Sequence, residues 1–209
     1  MHLVFLNASP KAGTGVSGVL LNRFCRINSG LSPAAALHFA GQPVSAFDRD
    51  LLAPCDTLLV ASPLYLDALP GHFLSVLEQL QGVLPQKARV YSLINCGFYE
   101  GNQTIGGHRV LENWCRENNL AYQGGLGIGG GGSICLLEKL PDFCWPRRRI
   151  DRAILSLGKA VSRGAPFPVC YTTVDYPRFF YLKGSQISWN QKGRAAGLHK
   201  KDLQRPLPR

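Results

Sequence analysis

The chain has 209 residues, 45% hydrophobic and 17% charged, a composition that supports a packed interior and excludes an intrinsically disordered chain. Its formal net charge of +10 is uneven: residues 1–163 hold 15 Lys and Arg against 11 Asp and Glu, residues 164–209 hold 8 against 2, and no nucleic-acid motif accompanies the basic end. Seven scattered cysteines without a CxxC pair argue against a disulfide framework or a metal site, and no apolar run is long enough to span a membrane.

The first ten residues, MHLVFLNASP, lack the basic flank and long apolar core of a secretory signal. A reducing cytoplasm is therefore the expected compartment, with most thiols acting as small buried hydrophobes and a reactive Cys96 as the minority reading. In chain order, short runs rich in Val, Leu and Ile predict strands at residues 3–6, 35–39, 57–61, 89–94 and 121–128. Between and after them, helical periodicity bounded by Gly, Pro, Ser or Asn predicts helices at 15–28, 70–81, 103–119 and 147–163, with a short, irregular helix at 44–53. Strands alternating with helices give an α/β, doubly wound, five-stranded parallel sheet, in the order 2-1-3-4-5. Residues 1–163 form this domain. Residues 164–209 are a basic extension rich in Pro and aromatics, without a clear helical stripe before Lys192, and are expected to pack on the core or across a homodimer interface.

In an open parallel sheet, ligands sit beyond the carboxyl ends of the strands, so the loops leaving those ends are the candidate site. The first runs from Asn7 to Ser17. Hydroxyls on Ser9, Thr14 and Ser17, the Lys11 ammonium, and the backbone N–H groups of Gly15, Val16 and Ser17 at a helix start together suit a phosphate dianion; an ordinary helix cap competes with this. The second loop, Pro63, Leu64, Tyr65 and Leu66, offers an apolar wall and an aromatic ring. The third, Asn95, Cys96, Gly97, Phe98 and Tyr99, joins two aromatics to a glycine that permits close backbone approach. The fourth is Gly-rich, residues 124–133, and reads equally as a place for a nicotinamide or substrate and as a mobile loop. His72 and His108 lack partners at triad spacing and read as structural, and no catalytic side chain is singled out.

At these loops the sequence resembles the flavodoxin-like NAD(P)H-dependent oxidoreductases, which include FMN reductases and quinone reductases. Residues 7–17 look like their N-G-S-P-[KR] phosphate loop ending in Ser-x-Ser, residues 62–70 like their P-x-Y loop, and residues 95–100 like their C-G-[FY] loop. The segment 184–203, with Trp189, Gly197-Leu198 and Lys201-Asp202-Leu203, resembles the tail of some bacterial members. The resemblance implies FMN with its phosphate at Ser9, Lys11 and Ser17 and its isoalloxazine between loops 63–66 and 95–99. It further implies NAD(P)H as co-substrate, hydride passing to FMN and on to a small-molecule acceptor such as a quinone or flavin. The alternatives are a flavin-binding electron-transfer or sensor module without NAD(P)H turnover, and a scaffold of this fold that has lost flavin. Neither a membrane nor a nucleic acid is expected as a partner. The chain departs from the pattern at Ala8, where the family has glycine, and at Gly15, where a serine is expected, so the cradle lacks one hydroxyl.

Overall fold

A computed structural model describes residues 1–11, 15–198 and 202. Thr14, and Lys201 and Leu203 of the tail motif, lie outside the described residues. The elements run β1 Leu3–Asn7, α1 Val16–Ile27, β2 Ala35–His38, α2 Ala46–Leu52, β3 Thr57–Pro63, α3 Gly71–Gln79, β4 Arg89–Asn95, α4 Ile105–Glu117, β5 Ala121–Ile128, α5 Gly131–Ile134, α6 Arg148–Arg163, β6 Cys170–Thr172 and α7 Arg178–Ala195. All strands pair in parallel in one sheet, in the order β2-β1-β3-β4-β5-β6. The expected doubly wound order of five strands is present. A sixth strand, not predicted, extends it beyond β5, within the extension expected to pack on the core or across a homodimer interface.

Strand residues alternate between two covered faces, which is why β1, β3 and β4 are buried along nearly their whole length. Val4, Leu6, Leu58, Val60, Val90 and Ile94 join a core with Phe73, Val76 and Leu77 of α3 and Leu111, Trp114 and Cys115 of α4. On the other face Phe5 meets Phe24 of α1 edge-on, with ring centroids 5.7 Å apart. The helix at 44–53 is regular rather than irregular. Ser45 and Asp48 close a reciprocal capping box, Asp48 N–H donating to Ser45 Oγ at 3.1 Å and Ser45 N–H to the Asp48 carboxylate at 2.9 Å.

The chain divides into two compact units, Met1–Asp175 and Tyr176–Arg209. The first extends past the expected end at residue 163, because residues 164–175 carry β6 and tie back to the sheet. Phe167 N–H donates to Gln123 O at 2.7 Å, and Tyr91 hydroxyl donates to Ala165 O at 2.8 Å. Most of the described residues of the second unit form the long helix α7, which the sequence pattern did not predict as a helix. No helix among the described residues is long and apolar enough to cross a membrane.

Candidate functional site

The register of the sheet brings the loops together. Asn7 pairs with Ala61 and His38, Pro63 with Asn95, and Asn95 with Ile128, so β1, β3, β4 and β5 end at nearly the same level. Their following loops therefore share one edge.

The loop after β1 is tied down at each backbone polar group of two consecutive residues. Ala8 N–H donates to Ala61 O at 2.8 Å, and Ala8 O accepts from His72 Nε2 at 3.1 Å. Ser9 N–H donates to Asn7 Oδ1 at 3.0 Å, and Ser9 O accepts from His38 Nε2 at 2.7 Å. Ser9 Oγ in turn accepts from Lys11 N–H at 3.3 Å. This geometry explains the departure at Gly15. A Cβ there would stand 2.3 Å from Ser9 Oγ, so the serine hydroxyl occupies the space that a side chain at position 15 would fill. The Ser9 hydroxyl is thereby held against the start of α1. Gly15 caps α1 in extended conformation with no side-chain cap bond, and no acidic residue stands in the first turn to oppose an anion there. Ser17 is placed differently from expectation: its hydroxyl is buried and donates to Asn95 Oδ1 at 2.9 Å, joining the first loop to the third instead of pointing outward. Val16 opens α1 and is half-buried.

The loop after β3 is a tight two-residue turn. Tyr65 and Ala68 exchange both backbone hydrogen bonds, at 2.9 and 3.1 Å, and the turn residues Leu66 and Asp67 have φ of 49° and 60°. Two successive left-handed residues make the primed turn that matches strand twist, although neither is glycine. Leu64 turns its side chain into the core and fixes the loop through its N–H to Asn95 O at 2.7 Å. Leu66 is 99% exposed at the tip and Tyr65 is 47% exposed. Of these three, Tyr65 is the side chain available as a wall.

In the loop after β4, Phe98 is 50% exposed while Cys96 is buried. The Cys96 thiol donates to Glu100 O at 3.5 Å, and burial first, then the carboxylates of Asp67 and Glu100, push its pKa up. Both effects disfavour the thiolate, the nucleophilic form of the side chain. Tyr99 is half-buried, and Gly97 lies exposed between these residues.

The Gly-rich loop after β5 is tied down rather than free. Gly130 N–H donates to Phe98 O at 2.6 Å, Gly131 N–H to Cys96 O at 2.9 Å and Gly129 N–H to Thr172 O at 2.9 Å. A Cβ at Gly129 would meet Tyr99 O at 2.1 Å, and one at Gly131 would meet Cys96 O at 2.6 Å. Glycine is required because protein backbone approaches there, and the loop serves as a brace beneath residues 96–101.

Two polar clusters behind the site escaped the sequence reading. Ser92 of β4, His108 of α4 and Tyr122 of β5 form a buried network, with Ser92 Oγ 2.8 Å from His108 Nδ1 and 2.7 Å from the Tyr122 hydroxyl. His108 Nε2 is buried with no hydrogen-bond partner among the described residues, and burial lowers the ring pKa to about 4. A serine in the middle of the apolar strand RVYSLIN was the available signal. The second cluster joins Arg23 of α1 to Asp151 of α6 at 2.6 Å, to Asp142 at 2.8 Å and to Glu138 at 3.3 Å, with Arg147 bonded to the carbonyls of Leu140 and Pro141. Arg23, Arg147 and Asp151 are wholly buried. The cluster fastens the segment after the glycines to α1 and α6. Among the described residues no group of His, Cys, Asp or Glu has metal-holding geometry.

No protein-family model matches the chain, and no curated protein matches its sequence. In three dimensions it is similar to an oxidised flavodoxin 1 from Bacillus cereus, with TM-score 0.55 and 13% identity over 77% of this chain and 97% of that one. It is similar to an NADPH-quinone reductase from P. pentosaceus, with TM-score 0.56 and 13% identity over 77% of this chain and 96% of that one. An NADH:FMN oxidoreductase in apo form has TM-score 0.50 and 13% identity over 79% of this chain and 94% of that one. What is shared at these identities is the flavodoxin-like fold.

Proposed function

We propose that the chain binds FMN at the carboxyl edge of β1, β3 and β4 and acts as a two-electron oxidoreductase, taking hydride from NAD(P)H and delivering reducing equivalents to a quinone, flavin or similar small acceptor. The observation that carries this reading is the loop after β1. Its Ala8 and Ser9 carbonyls are turned to protein donors, while Ser9 Oγ, Lys11 and the uncapped start of α1 stand together where a phosphate would meet hydroxyl, ammonium and N–H groups. The residues present fit the cofactor in its other half also: Tyr65 and Phe98, each about half exposed at the same edge, can flank a flat ring.

When bound, the flavin supplies the hydride-accepting chemistry, and the protein's part is to hold and orient it. Lys11 and α1 neutralise the phosphate, Tyr65 and Phe98 shield the ring faces, and the Ser17 bond to Asn95 keeps the first and third loops at fixed separation. The Gly129–Gly131 brace fixes the backbone that carries Phe98.

The test is the visible spectrum of purified protein before and after FMN addition and dialysis, followed by anaerobic NADPH. Retained flavin bands that bleach support the reading. Retained flavin that NADPH leaves oxidised points to an electron-transfer or sensor module. The fold without flavin is favoured by one feature, the Ser17 hydroxyl turned inward to Asn95, and a colourless protein that fails to take up FMN would establish it.

A further inference from the structure

We propose that His38 and His72 are positioning residues that make the loop after β1 select a phosphate ester over an uncharged ligand, an inference that rests on the flavin reading above. They come from different elements, His38 from the last residue of β2 and His72 from the first turn of α3, yet they meet consecutive peptide units: His72 Nε2 lies 3.1 Å from Ala8 O and His38 Nε2 lies 2.7 Å from Ser9 O. To donate to a carbonyl, each ring carries its hydrogen on Nε2.

The consequence is electrostatic. A carbonyl oxygen carries partial negative charge, and one facing a phosphate dianion repels it. The Ser9 carbonyl is the harder case, because the next residue is Pro10, whose nitrogen has no hydrogen; that peptide unit offers an acceptor and nothing else. His38 gives this oxygen a donor at 2.7 Å. His72 does the same for Ala8, whose N–H is already committed to β3. With both carbonyls engaged, the Ser9 side chain stays against Gly15 at the start of α1, with the Lys11 Cβ beside it, so that its hydroxyl and the helix N–H groups are what an incoming anion meets. Neither imidazole needs to touch the ligand. Without them the two carbonyls lose their donors, and rotation of either peptide unit turns an oxygen toward the anion at the expense of hydroxyl and N–H contacts.

The experiment compares FMN and riboflavin, which differ in the phosphate, on the full-length chain by flavin fluorescence quenching. The wild type binds FMN more tightly than riboflavin. His38→Leu and His72→Leu each lose about tenfold in FMN affinity with riboflavin affinity unchanged, the size expected when a buried acceptor loses its donor. His38→Gln and His72→Gln, which keep an amide donor, recover most of the loss. Unchanged riboflavin binding and an unchanged near-UV circular dichroism spectrum show that the leucine variants remain folded. An FMN-to-riboflavin ratio in the leucine variants equal to that of the wild type overturns the proposal. So does loss of both ligands in parallel. If the wild type binds neither flavin, the flavin reading fails and the proposal is judged on inorganic phosphate alone. Thermal stabilisation of the wild type by phosphate, absent from both leucine variants, supports it; no stabilisation of the wild type overturns it.

Discussion

Residues 1–175 hold 15 Lys and Arg against 12 Asp and Glu, while residues 176–209 hold 8 against a single Asp202. In the first unit several of those charges are paired far from water, as Arg23 and Asp151 are, and large apolar side chains fill two faces of a sheet. In the second, Phe179, Phe180, Ile187 and Trp189 are each more than half exposed, and Lys183 and Lys192 lie over rings of their own helix, at 4.3 Å from Phe179 and 5.1 Å from Trp189. The overall charge of the protein is thus a property of its smaller part, while the candidate site belongs to the larger one. A functional reading drawn from net charge alone addresses the wrong region.

Four measurements break or sharpen this contrast. The largest effect is expected at Asp151. Asp151→Asn leaves Arg23 and Arg147 without their shared buried carboxylate, and urea unfolding should show a loss of about 3–5 kcal/mol. A loss below about 1 kcal/mol would mean that Glu138 and Asp142 carry the two arginines.

Next is acid sensitivity. His108 has a folded-state pKa of about 4 against an ordinary value of 6.5, so between those values the unfolded chain binds a proton that the folded chain refuses. The stability contributed by neutral His108 is complete above pH 6.5 and is lost as pH falls toward 4, by on the order of 3 kcal/mol. Urea midpoints measured across this window should flatten in His108→Gln relative to the wild type, and parallel profiles would remove His108 as the source.

Third is Gly15→Ser, which restores the hydroxyl that the resembling family carries. Because that Cβ would stand 2.3 Å from Ser9 Oγ, the variant should lose about 1–3 kcal/mol of stability and bind FMN more weakly than the wild type. Tighter FMN binding would show that Ser9 gives way and that the added hydroxyl completes the cradle. The smallest effect is expected in the second unit: Lys183→Ala with Lys192→Ala should change stability by less than about 0.5 kcal/mol.

The parts of this architecture that repeat a period were legible in the sequence. Strands β1 to β5 were found with their first residues matched and their last residues within two, β5 with both ends, and the four amphipathic helices of the first unit with each end within two residues. The parts that escaped have physical reasons. β6 is three residues long, too short for alternation to register, and depends on its pairing with Leu126, Gly127 and Ile128. α7 carries its large apolar residues around the helix and leaves most of them exposed, so no stripe appears. At the site, the sequence indicated which loops meet but not how their side chains divide the work. Ser17, Leu64 and Cys96 proved to be buried ties, with Tyr65 and Phe98 the rings left outward. The role of His38 depends on a contact across 29 positions, and the Arg23–Asp151 pair on one across 128, beyond any local pattern.

The two strands that border the sheet are also its shortest. β2 has four residues and β6 three, whereas the strands between them have five to eight. A sheet's rim is where unpaired backbone invites a neighbouring chain to add itself, and the invitation scales with the length of rim on offer. By ending on its briefest segments the molecule presents very little template for runaway strand addition, and β6 in particular withdraws most of what the eight-residue β5 would otherwise present at its carboxyl half.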